Sequence, residues 1–152
     1  MPIVINEWLI HDLRGHNGPA AQAESAVFLS AFQRGTDYIV VLRPSPWTLK
    51  AYDLMTVSVP PVYILSKLLH LGILQDALKC RYVEVADIQP LPADLAHVPQ
   101  DDAYLFQTAL AASGPVPAIV TTDTRLIARV SAPARERGIE MRLRSELLEE
   151  YR

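Results

Sequence analysis

Three short runs of the chain are apolar at every position: "IVI" at 3–5, "YIVVL" at 38–42 and "AIV" at 118–120. A strand with one face in water alternates polar and apolar residues, so a run apolar throughout needs cover on both faces. Such strands belong in a parallel sheet sandwiched between helices. The intervening segments have the length and period to supply those helices. "AAQAESAVFLSAFQR" from Ala20 places Ala23, Val27, Phe28, Ala31 and Phe32 on one helical face, and Gly35 ends it. "SPWTLKAYDLM" reads as a helix with Ser45 as N-cap and Pro46 in its first position.

The remaining chain continues the alternation. "EWLIHDL" has helical spacing, and "VYILSKLLHLGILQDALK" is helical with an interruption near Gly72. "RYVEV" (81–85) and "IEMRL" are further strands, while "DDAYLFQTALAAS", "TRLIARVSAPARERG" and "RSELLEEY" are helical. Strands and helices that alternate from end to end predict an α/β fold: a three-layer sandwich around a mainly parallel central sheet. The proline-rich stretch 88–99 is the best linker candidate, but the pieces on either side are too small to fold alone. Residues 1–152 are therefore expected to form a single domain.

The chain is 50% hydrophobic and 20% charged, enough to fill a core without disulfides or a structural metal. Its formal charge of −3 offers nucleic acid no general attraction, so such a partner would need a local basic patch. Cys80 is the only cysteine, which excludes an intrachain disulfide and reads as a half-buried, inert thiol. The N-terminus lacks a basic n-region and a long apolar stretch, and no run approaches the roughly 20 apolar residues of a bilayer span. A cytoplasmic protein without a membrane partner is expected.

In an open parallel sheet, functional groups collect beyond the carboxyl ends of the strands. Asn6 and Glu7 follow the first strand, Asp123 follows "AIVTT", and Asp102 opens the helix that leads into that strand. Asp102 shares a helical face with Leu105 and Ala109, whereas Asp101 lies about 100° away and is expected to be more exposed. Carboxylates converging from separate segments repel unless a cation joins them, and an all-oxygen set suits Mg²⁺ or Mn²⁺. Each acid also has a plainer explanation. Asp101, Asp102 and Asp123 stand at helix starts, where capping and the helix dipole favour Asp, and Glu7 and Asn6 fit the start of the next helix equally. The four histidines (His11, His16, His70, His97) show no zinc spacing and read as surface or loop residues. The basic clusters "ARERG" and "RLRS" read as solvated faces. No phosphate loop, dinucleotide fingerprint, serine-nucleophile elbow or zinc-protease motif is present.

"DDAYLFQTALAASGPVPAIVTTDTRL" resembles the second half of a PIN domain, in which an Asp opens a D-x-x-x-L-x-x-A-L helix and an apolar strand ends in V-T-x-D. "PIVIN", "DYIVVLRPSPWTLKAYDLM" and "RGIEMRLRSELLEEY" are similar in layout to the rest of that fold, so the likeness spans nearly the whole chain. The resemblance implies a Mg²⁺- or Mn²⁺-dependent ribonuclease acting on RNA. It also implies a toxin of the toxin–antitoxin kind, held by an antitoxin-like protein and often a homodimer. It assigns Asp102 and Asp123 as the two later acids and Thr121 as the polar neighbour of the last one. Asp102, Asp123 and Glu7 would then bind metal, with Asn6 as an auxiliary oxygen and Asp101 adjacent. The chain departs from the pattern twice. Asn6 stands where the first acid is expected, and Lys50 stands near the second, or Asp53 if the alignment shifts by three residues. The alternative reading is a catalytically impaired PIN-like domain that serves as an RNA- or protein-binding regulatory module.

Overall fold

A computed structural model describes all 152 residues. Five strands form one sheet: β1 (Pro2–Ile5), β2 (Tyr38–Arg43), β3 (Cys80–Glu84), β4 (Ala118–Thr121) and β5 (Met141–Leu143). Every pairing is parallel and the order is β3-β2-β1-β4-β5. Seven helices flank it: α1 (Trp8–Arg14), α2 (Pro19–Arg34), α3 (Pro46–Leu54), α4 (Val62–Leu69), α5 (Ala103–Ala111), α6 (Thr124–Glu136) and α7 (Arg144–Tyr151). The expected α/β three-layer sandwich is the observed architecture.

The uninterrupted apolar runs are explained by the pleat, which sends successive residues to opposite faces. Ile3, Ile5, Ile39, Val41, Ala118 and Val120 enter one core, beneath α1, α2, α3, α4 and α7. Val4, Val40, Leu42 and Ile119, the residues between them, enter a second core beneath α5 and α6. Over these runs β1, β2 and β4 are buried on both faces, which is why the runs carry no polar residue.

Local signals hold where the chemistry is local. Ser45 caps α3, its hydroxyl accepting from Thr48 N–H at 3.1 Å while Ser45 N–H donates to Thr48 Oγ1 at 2.9 Å. The interruption at Gly72 is a π-helical turn, His70–Leu74, continuing α4. The proline-rich stretch is no linker, because Leu95 and Val98 are buried in the second core. Three readings need correction. His70 is buried, its Nε2 2.7 Å from the Ala51 carbonyl oxygen, a partner 19 residues away. Cys80 is buried rather than half-buried, and desolvation pushes its thiol up to about 11. In "RLRS", Arg142 and Arg144 are largely covered, with 13% and 15% of their side chains exposed. Arg144 reaches Asp12 across the α1–α2–α7 junction. No helix is long and apolar enough to cross a membrane.

Candidate functional site

The strand order reverses direction at β1. The chain leaves β1 toward β2 and β3, then crosses back to add β4 and β5 on the other side. In open α/β sheets the crevice at such a reversal, outside the carboxyl ends, is where ligands bind. The carboxyl ends of β1 and β4 are tied together there. Asn6 N–H and Trp8 Nε1 both donate to the Val120 carbonyl, at 3.2 and 3.0 Å. The residues singled out from the sequence flank this seam, and a cleft of about 600 Å³ opens beside it. Glu7, Lys50, Asp101, Tyr104, Gln100 and Gln107 are among its lining residues.

Glu7 sits at the start of α1 and turns its carboxylate into the cleft, with only 17% of the side chain exposed. Its partner is Lys50. The ammonium lies 2.6 Å from Glu7 Oε1, an ion pair whose angles do not make an aligned hydrogen bond. Lys50 therefore enters the cleft and Asp53 does not; Asp53 is exposed and pairs with Arg14 at 2.6 Å. Asn6 is turned back on the chain, its Oδ1 accepting from Glu7 N–H at 2.7 Å.

Asp102 is half-buried where a short 3₁₀ turn (Gln100–Asp102) runs into α5. Burial raises its pKa, and the charges of Asp123, Glu7 and Asp101 raise it further. These acids therefore lie near enough to repel. Asp101 is exposed, as its position around the helix predicts. Asp123 is exposed and caps α6, with Oδ1 accepting from Arg125 N–H at 3.0 Å and Leu126 N–H at 3.1 Å. Thr121 is fully buried, and its Oγ1 accepts from Asp123 N–H at 3.0 Å. Capping, the plainer account of Asp123, is thus a role it does fill.

The donor set does not fit a divalent metal as it stands. No three His, Cys, Asp or Glu side chains are grouped as ligands. Glu7 is held by an ammonium, one Asp123 oxygen by two backbone N–H groups, and the Asn6 oxygen by a third.

Tyr104 is the cleft residue that sequence reasoning missed. Its hydroxyl is buried beside the Glu7 carboxylate but makes no well-aligned hydrogen bond. Burial, then the Glu7 and Asp102 charges, push its pKa far up, so it stays protonated. Nothing in the local pattern separates it from an ordinary core aromatic. His11, one turn after Glu7 on α1, is held below the usual imidazole range by burial and by Lys50.

The raised Asp102 pKa has a direct consequence. A carboxyl whose folded pKa exceeds its unfolded value adds no penalty below the unfolded pKa. Its penalty builds as pH rises from the unfolded pKa to the folded one and is constant above it. Asp102→Asn is therefore expected to raise Tm at pH 7, with the gain vanishing near pH 3. Thermal melts across that range check it.

No family model, no curated protein and no solved structure matches this chain.

Proposed function

We propose that this chain is a PIN-like domain in which Lys50 supplies the positive charge that a divalent metal supplies in the nucleases of that family. The domain then acts as a binding or regulatory module rather than as a Mg²⁺- or Mn²⁺-dependent ribonuclease. The observation that carries this reading is the Lys50–Glu7 ion pair at 2.6 Å inside a cleft of mutually repelling carboxylates. A fixed ammonium relieves that repulsion without a metal, and offers no open coordination position at which water is activated.

A protein partner is favoured over RNA. The cleft wall sets two carboxylates, Glu7 and Asp101, against the one ammonium of Lys50, and the chain's formal charge is −3. Meanwhile α3 and the residue after it, α4, and the turn after α4 expose the large apolar side chains Leu49, Tyr52, Met55, Ile64 and Leu71. Labelled single-stranded RNA incubated with the protein and Mn²⁺ tests the reading in one assay. The expected result is neither cleavage nor saturable binding at physiological salt. Mn²⁺-dependent cleavage that disappears in Asp102→Asn would restore the ribonuclease.

A further inference from the structure

Seven of the thirteen large apolar side chains that the molecule exposes belong to residues 49–71, so this side of the helical layer differs from the rest of the surface. Leu49 and Tyr52 lie one turn apart on α3, and Tyr52 stacks on His70 of the π-helical turn, ring centroids 6.2 Å apart. Met55, Tyr63 and Leu71 share the wall of one hollow of about 230 Å³ with Lys67 and His70. Val59 stands one turn before Tyr63, its carbonyl accepting from Tyr63 N–H at 3.1 Å, and Ile64 stands two turns before Leu71. The seven form one face across α3, α4 and the turns beside them.

At their observed exposures these residues present on the order of 700–900 Å² of accessible surface. The largest apolar patch of a monomer is about 300–600 Å², whereas each partner gives a standard interface about 800 Å². The face is thus the size of one half of a stable dimer contact.

Charge narrows the occupant. Across 49–71 the charged residues are Lys50, Asp53 and Lys67. Lys50 is turned to Glu7 in the cleft and Asp53 pairs with Arg14, while the Lys67 ammonium lies 4.5 Å from the Tyr63 ring centroid. So nearly neutral a face has nothing to select a strongly charged partner, and two copies of it meet without a clash of like charges. A two-fold contact sets a surface against itself, so hollow and protruding side chains must occur on the same face. Both are present: Ile64 is 61% exposed and lies outside the wall of the hollow.

We propose that this face binds the same face of a second copy about a two-fold axis, apolar side chains of each copy filling the hollow of the other. The proposal names the protein partner of the preceding reading, and rests on that reading's preference for protein over RNA.

Sedimentation velocity tests it. Between about 1 and 100 μM the wild-type chain should pass from 16.9 kDa to twice that mass, with a Kd on the order of 1–10 μM. Ile64→Lys and Leu71→Glu change exposed positions and should keep the wild-type circular dichroism, yet weaken association at least about tenfold. Val116→Lys, in the loop before β4 on the far side of β1, should associate as the wild type does. A wild-type chain still monomeric at about 100 μM would overturn the proposal and leave the face to a different protein. A dimer that both substitutions leave intact would overturn it too. The cleft reading fails on another signal, Mn²⁺-dependent RNA cleavage, so the two failures are distinguishable.

Discussion

Asp12→Ala is expected to cost about 3–5 kcal/mol of folding stability, the range for removing one member of a buried ion pair. Asp12 is 2% exposed and both of its carboxylate oxygens accept hydrogen bonds. Its Oδ1 accepts from Asn17 Nδ2 at 2.7 Å, while Oδ2 accepts from Ser25 Oγ at 2.7 Å and Arg144 Nη1 at 2.6 Å. Arg144 also reaches Glu24 at 3.2 Å and lies over the Trp8 ring, 5.2 Å from its centroid. Truncation leaves the Arg144 guanidinium with only the more exposed Glu24 as counter-charge and deprives the buried Ser25 hydroxyl of its carboxylate acceptor. Since a domain of this kind has about 5–15 kcal/mol in total, the variant should lose a large share of its stability. Urea unfolding measures the loss. Asp12→Ala combined with Arg144→Met should recover a large part of it, because no unpaired charge then remains. A loss below about 1 kcal/mol would show the network to be solvated.

The second large effect concerns Lys50. Lys50→Ala removes the only cation paired with Glu7 and leaves that carboxylate beside Asp102 and Asp123. The cleft should then take up a divalent ion. With Mn²⁺ at about one hundred times its Kd, binding to the folded state alone adds about 2.7 kcal/mol. For a chain of this length that raises Tm by about 5–10 °C. Mn²⁺ should leave the wild-type Tm unchanged. Equal responses in the two proteins would mean that Lys50 does not govern the site.

The strands were legible because burial on both faces writes an unmistakable pattern, as in Ile39–Leu42, whose side chains divide between two cores. The Ser45 cap was legible because its partner, Thr48, is three residues away. Misread groups have distant partners. His70 depends on Ala51, and Arg144 on Asp12, 132 residues earlier. The cleft falls between these cases. The carboxyl-end rule placed Asn6, Glu7, Asp102 and Asp123 around one seam, and Lys50 stood out as a cation where an acid was expected. That Lys50 would bridge 43 residues to Glu7, with Tyr104 buried beside them, depends on how α3 and α5 pack over β1, which no local pattern encodes.

The most direct test of the claim that Lys50 replaces the metal is a Mn²⁺ titration of the wild-type protein followed by electron paramagnetic resonance. The free-Mn²⁺ signal should stay undiminished by an equivalent of protein at about 100 μM, as for a Kd well into the millimolar range. Stoichiometric loss of that signal, abolished by Asp102→Asn, would contradict the account.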